Sequence, residues 1–390
     1  MPTSTVGNIA TNPQVYAHRL AALREAAATQ GIRTIVLVDP ANVMHLTGYW
    51  TILSTMMPEA LVITPHRATL LAPALERAAV DALGLPWIEL LGFRTYPLHV
   101  TQGIEPARLF GEVLKEALAG TAGPVGLELS EARHQTAQAV ETIAAGQVID
   151  IGPILRGLRA EKDVVAIARI RQAAHVVAES AVAARSRIVP GAHEQDVAGA
   201  IAERIWSSGA RATHIVVGSG PRSIILHAEP TDRLLREGDL VVIDVGVLVD
   251  GYWAEIARTT SVGAPISEQV TWHQAVLSAQ SAAAAVLAPG VTGDEVDAAA
   301  RQVLTNRGFD GSSFNHSAGH GLGLLGMDLP AIAPNSTDRI PSAGAVTIEP
   351  GLYFANRGGI RIEDTYLLEG GKVEELTGWV PKGLVEDPSP

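Results

Sequence analysis

Four acidic residues stand on strand-like segments where a carboxylate is costly. Asp244 lies in Val241-Val-Ile-Asp244-Val-Gly246, with apolar neighbours on both sides. Asp250-Gly251 separates two β-rich runs, a two-residue hairpin signal. That turn sets 249 opposite 252 and 246 opposite 255. Side chains alternate along a strand, so 244, 246 and 248 share a face. Glu255 joins that face, diagonal to Asp244 at roughly 7–8 Å between Cα atoms, within reach of one shared ion. Gly246, opposite Glu255, leaves space there. Two like charges on an apolar hairpin are unfavourable unless a cation compensates them. A second segment repeats the theme. Thr347-Ile-Glu349-Pro-Gly leads out, and Gly359-Ile-Arg361-Ile-Glu363-Asp364 returns, with Arg361 and Glu363 on the face away from Ile360 and Ile362. Asp250 and Asp364 are expected to point outward into solvent.

Three of the 12 histidines carry chemical interest. His320 sits in Ser317-Ala-Gly-His-Gly-Leu-Gly323, where glycines let backbone or substrate approach closely. A neutral imidazole among hard carboxylates suits Mn, Co, Fe or Zn better than Ca or Mg. His227 lies in a polar loop before the first acidic hairpin, where a histidine is either solvated or catalytic. His316, four residues before His320, fits either reading. There are no cysteines, hence no disulfide framework and no thiolate nucleophile or ligand.

The elements that must position these residues follow from an internal repeat. Residues 189–209 and 288–308 align at an offset of 99, with Pro190/Pro289, Gly191/Gly290, Val197/Val296, Ala200/Ala299 and Gly209/Gly308 coincident. Pro-Gly opens each unit, and Gly closes a helix. A strand-rich stretch follows each, at 238–262 and 345–369. This predicts two helix-then-hairpin halves related by a pseudo-twofold, which would bring the four acids to one central site. Upstream, a helix over 14–30, a strand at 33–40, strands near 60–72 and another at 125–129 predict a separate α/β domain. A long helix over 161–187 connects the two. The expected domains are 1–152 and 153–390.

The 390 residues suit two or three domains. A hydrophobic fraction of 47% with 18% charged residues is a globular composition. The formal charge of −12 argues against a nucleic-acid partner, which needs clustered Lys and Arg. No run reaches the ~18 apolar residues of a membrane span. The polar start, MPTSTVGNIATNPQ, has no basic or apolar leader region, so a cytoplasmic, soluble protein is expected.

These segments resemble the prolidase, aminopeptidase P, methionine aminopeptidase and creatinase family. The resemblance rests on HAEPTDR at 227–233, VVIDVG at 241–246, GYWAEIARTT at 251–260, HSAGHGLGL at 316–324, TIEPGLY at 347–353 and GIRIEDT at 359–365. It reaches the N-terminal domain through DPANVMHLTGYW at 39–50. It implies an α/β (α+β) chain: a creatinase-like N-terminal domain and a pita-bread catalytic domain. It also implies one or two divalent ions, manganese foremost, held by Asp244, Glu255, His320, Glu349 and Glu363. His227 falls where the family has a substrate-binding or proton-shuttling histidine, His316 matches a further active-site histidine, and Arg361 matches an arginine of the proline-directed peptidases. Glu349 would be the general base. A homodimer is implied, with Tyr49 and Trp50 able to reach the partner's site.

Two departures stand out. The family's second aspartate is Glu255 here, one methylene longer. Met327 stands where the peptidases carry a histidine that assists at the substrate carbonyl, and losing such a donor can cost ~10²–10³ in kcat. The first expectation is a metal-dependent dipeptidase or aminopeptidase acting on Xaa-Pro bonds. The alternatives are a metal-free, creatinase-like hydrolase of a small non-peptide C–N bond, and a binding protein that has kept only the fold.

Overall fold

The computed structural model describes residues 13–95 and 108–385, so the first 12 residues of the polar N-terminal stretch lie outside it. The chain forms two compact units that divide between Leu158 and Arg159.

The first unit contains α1 (Pro13–Ala28), β1 (Thr34–Leu37), α2 (Pro40–Thr47), β2 (Ala60–Ile63), β3 (Ala68–Pro73), α3 (Arg77–Asp81), β4 (Ile88–Phe93), α4 (Phe110–Ala117), β5 (Val125–Leu127), α5 (His134–Ile143) and β6 (Val148–Asp150). The strands form a six-stranded sheet in the order β4-β3-β2-β1-β5-β6. β1 to β3 are fully buried apolar runs, as a sheet covered on both faces requires. One core beneath the sheet includes Leu23, Ile35, Leu61 and Leu70, and a second includes Val36, Val62, Leu114 and Val140. Tyr49 is 1% exposed within the first core, so it anchors its own domain and is not available to a partner's site. α6 (Gly152–Ala160) carries the division, and its Leu155 belongs to the first core.

The second unit opens with α7 (Val164–Arg185), whose N-cap Asp163 accepts from the amides of Val165 and Ala166. The two repeats become α8 (Glu194–Ser207) and, after β7 (Arg211–Ser219), β8 (Leu240–Val249), β9 (Tyr252–Ser261) and α9 (Ser267–Val286), the helix α10 (Gly293–Asn306). Both ends of α8 and α10 differ by 99. Their entries match in detail. Gly191 (φ +83°) donates to Leu235 O, and Gly290 (φ +85°) donates to Ile340 O. An acidic side chain at the third helical position caps each start, Asp196 on the His193 amide and Glu295 on the Thr292 amide. Each half has its own core: Val177, Ile201, Val245 and Ile256 in the first, Ala279, Val296, Val346 and Ile362 in the second.

β7-β8-β9 form one sheet. The register agrees with the turn chemistry: Val249 faces Tyr252 and Gly246 faces Glu255. Asp250 takes φ +47° in that turn and pairs with Arg169 at 2.7 Å while remaining exposed. The second half is more divided than a single hairpin. β10 (Gly319–Gly321), β11 (Asp328–Ile332), β12 (Gly344–Ile348), β13 (Gly351–Phe354), β14 (Gly358–Arg361), β15 (Asp364–Glu369) and β16 (Lys372–Glu375) split between a sheet in the order β11-β10-β12-β15-β16 and a separate β13-β14 ribbon. Pro350 has no amide to donate, so the ladder breaks there. Thr347 pairs with Thr365, while Gly351 pairs with Arg361 in the ribbon.

Asp364 departs from expectation. It is fully buried, held by Arg258 at 2.6 Å, Lys382 at 2.7 Å and the Gln280 amide at 2.9 Å. A buried carboxylate persists only when paired and hydrogen-bonded, and all three groups come from segments distant in sequence. The described residues contain no helix long and apolar enough to cross a membrane.

Candidate metal centre

The two halves meet through backbone at the acidic residues. Ala257 and Glu363 form an isolated antiparallel bridge, each amide bonded to the other's carbonyl. Beside it, the Glu255 amide donates to Thr365 Oγ1, which returns a bond to Glu255 O. Glu255 and Glu363 are thereby fixed side by side from opposite halves. His320 arrives on β10, whose flanking glycines are obligatory. A Cβ at Gly319 would overlap Thr347 O, and one at Gly321 would overlap Leu329 O. Its Nδ1 faces the Gly321 carbonyl at 3.2 Å, which turns Nε2 toward the carboxylates, 3.4 Å from Glu349 Oε1 and 3.5 Å from Glu255 Oε2. Glu349 follows β12, its amide bonded to Ala318 O.

Ligand atoms of Glu255, His320 and Glu363 all lie within 4.8 Å of one another. Glu349 joins this trio through its contact with His320. Both carboxylate oxygens of Glu363 are buried without a hydrogen-bond partner among the described residues. Burial, then the charge of Asp244 beside them, pushes the Glu255 and Glu363 carboxyls well up. Burial likewise raises Glu349 to about 8 and lowers His320. Three buried carboxyls without enough positive charge, arranged around an imidazole nitrogen, fit a divalent cation.

Asp244 is set apart from this group. Its Oδ2 lies 3.1 Å from Arg361 Nη2 and its Oδ1 2.9 Å from His214 Nε2. Burial opposes its ionisation, but Arg361 and His214 outweigh burial and hold its pKa at about 2. Arg361, 3% exposed, also donates to Leu226 O at 2.8 Å, so one guanidinium ties the first acidic strand to the loop that carries His227. His227 itself is exposed. Its loop is fixed from below by Glu194, fully buried, which accepts from the amides and hydroxyls of Ser219 and Thr231 and pairs with Arg222. His316 Nδ1 faces the Ser317 carbonyl at 2.8 Å and Nε2 faces Tyr353 Oη at 2.9 Å, so the tyrosine hydroxyl donates to the ring. Burial, with Arg361 adding to it, lowers His316 to about 4 and keeps it neutral. Met327 is 76% exposed, beside a loop seated on Trp253. Sequence reasoning missed His214, Glu194 and Tyr353. Only Tyr353 lay within a recognised motif, TIEPGLY.

A two-domain α/β chain with an internally repeated C-terminal unit and an acid-and-histidine centre at the join of its halves defines a class of hydrolases. The comparisons agree. Residues 168–369 match Metallopeptidase family M24 and residues 19–160 match the Creatinase/Prolidase N-terminal domain, and the chain belongs to this family. It is 32% identical to a probable dipeptidase, PepE, of Mycobacterium tuberculosis over 94% of this chain and 96% of that protein. It is 29% identical to an Xaa-Pro dipeptidase of Pyrococcus furiosus over 92% and 97%. Among solved structures, the prolidase of Pyrococcus horikoshii superposes with a TM-score of 0.82 at 28% identity, covering 92% of this chain and 98% of that one. An Xaa-Pro dipeptidase of Bacillus anthracis gives 0.84 at 26%, covering 95% and 99%. Membership of the family implies a divalent metal.

Proposed function

We propose that this protein is a metal-dependent dipeptidase or aminopeptidase for Xaa-Pro bonds, with its catalytic domain in residues 153–390. The observation that carries the reading is the trio Glu255, His320 and Glu363, with Glu349 beside it, whose burial the nearby Arg361 does not offset. Glu349 and His320, with Glu363, would hold the better of two ion positions, and Glu255 would reach both it and a weaker one served by Asp244. Manganese is favoured, with Co, Zn or Fe also suited to an imidazole among carboxylates. When bound, the ion lowers the pKa of a water and polarises the scissile carbonyl.

The protein's own groups have distinct parts. Glu349, whose carboxyl burial raises in the metal-free site, would be kept ionised by a bound cation and would then take a proton from the attacking water as general base. His227, exposed on its tethered loop, contacts the substrate or passes a proton to the leaving amine. His316 contributes as a neutral hydrogen-bonding group in register with Tyr353. Arg361 acts as a positioning residue, because its guanidinium already engages Asp244 and Leu226 O. A homodimer remains part of this reading, supported by the family resemblance, as does a cytoplasmic location.

The pairing of Asp244 with Arg361 and His214 favours a second reading, a metal-free hydrolase of a small C–N substrate. One experiment separates them. The purified protein, stripped and reloaded with Mn, is assayed on Xaa-Pro dipeptides, longer Xaa-Pro peptides and creatine. Turnover of Xaa-Pro bonds that disappears with chelator is expected. Creatine turnover that persists without metal would establish the second reading.

A further inference from the structure

Strand β7 brings a second imidazole to the acidic face. His214, Gly246 and Glu255 occupy one rung across β7, β8 and β9. The register of β7 shifts between Ala212 and His214, and such a bulge re-aims side chains. Here it leaves both Thr213 and His214 over Gly246. A Cβ on that glycine would stand 2.5 Å from His214 Cε1 and 2.8 Å from its Nδ1. The ring therefore lies across the bare backbone of Gly246, on the strand that carries Asp244. Trp253 flanks it with ring centroids 6.4 Å apart.

The two ring nitrogens face different partners. Nδ1 lies 3.2 Å from Thr213 Oγ1, and Nε2 lies 2.9 Å from Asp244 Oδ1. Histidines that ligate metals commonly donate their other ring N–H to an acceptor, which fixes the tautomer. With Nδ1–H given to Thr213, Nε2 presents a lone pair to a carboxylate oxygen that also has only lone pairs. In that tautomer something positive must lie between them, a proton or a cation; in the other, Nε2–H donates to Asp244 and the Thr213 hydroxyl donates to Nδ1. Two donors each ~2.1 Å from one ion at right angles are about 3 Å apart, close to the separation seen.

We propose that His214 is a further metal ligand, its Nε2 sharing with Asp244 a second divalent ion beside the one held by Glu255, His320, Glu349 and Glu363. The proposal rests on the metallopeptidase reading. It gives each ion position one imidazole, so the second position also selects Mn, Co or Zn over Mg and Ca.

The test is ion binding, read without turnover. Apo-protein labelled with ¹⁵N-histidine is titrated with Zn while side-chain nitrogens are followed by NMR. Stoichiometry is measured by calorimetry with Mn on wild type, His214→Ala and His214→Gln. The first equivalent should move His320 Nε2 and the second His214 Nε2. Both variants should keep the first ion, which shows that they fold, and weaken the second at least about tenfold. Variants that bind both ions as wild type does, or the second more tightly, would show that the imidazole only donates to Asp244. A wild type that takes a single ion, with His214 unmoved, also overturns the proposal but leaves the hydrolase reading standing. Protein that binds no ion in any form overturns both.

Discussion

Glu255 places its carboxylate one methylene further from its strand than an aspartate would. Ligand distances near ~2 Å leave little slack for that. The strand cannot slide to compensate, because a one-residue slip would turn Glu255 to the opposite face, and its register against Gly246 and its bonds to Thr365 are fixed. Wild-type protein is therefore expected to bind one ion tightly and a second weakly, and Glu255→Asp should raise occupancy of the weaker position. Calorimetric titration of both apo-proteins with Mn decides it, and two equally tight ions in the wild type would show that Glu255 bridges as well as aspartate. At this scale the sequence was legible where chemistry is local. Asp250-Gly251 set the register that places Glu255. The partners of Asp244 were not legible. Arg361 lies 117 positions away, and His214 reaches the face only through a bulge that strict alternation cannot show.

Elements, more than single residues, decide whether the centre holds together. Behind Glu363, Arg258 donates to its carbonyl and to Asp364, and Lys382 reaches Asp364 from the C-terminal segment. This cluster fixes the start of β15 and with it the join to β9. Removing one partner of a buried ion pair typically costs about 3–5 kcal/mol, because the remaining charges lose their compensation. Asp364→Ala should destabilise the protein by about that amount and weaken ion binding, since Arg258 would no longer hold the Glu363 carbonyl in place. Urea denaturation and Mn titration check the two effects. Full stability in the variant would mean that Gln280 and Thr377 suffice for the cluster. The helical frames were legible as elements because Pro-Gly entries and Gly exits are local signals, and they recur at the same offset in α8 and α10. The break at Pro350 was only half legible. A proline predicts an interruption, but the route of the chain after it depends on which sheet offers a free edge.

At the scale of the whole molecule, the buried carboxyls outside the metal centre differ in character between the two units. In the second unit Asp364 and Glu194 lie below the usual carboxylate range: burial opposes their charge, but Arg258 and Lys382 outweigh it at Asp364, and bonds from Thr231 and Ser219 outweigh it at Glu194. Their stabilisation is present above the unfolded pKa and is lost as pH falls through the folded value. In the first unit, burial raises Glu59 and Glu128 to about 7 from 4.5. There the folded state holds protons that the unfolded chain has released, so stability declines as pH rises from 4.5 to 7 and levels off above. Glu128 is partly compensated by the amides of Val38 and Asp39 and by Asn42, whereas Glu59 Oε1 is buried without a partner among the described residues. Glu59→Gln removes the charge and keeps the shape. It should therefore stabilise the first unit at pH 8 by an amount on the order of 2–3 kcal/mol, and leave it nearly unchanged at pH 4.5. Hydrogen exchange of β1 to β3, corrected for intrinsic rates at each pH, reports on that unit alone. Loading the protein with Mn should slow exchange in β8, β9 and β15 of the second unit, because a ligand stabilises what it binds. Equal protection of β1 to β3 in wild type and Glu59→Gln at pH 8 would show that Glu59 finds a compensating partner in solution.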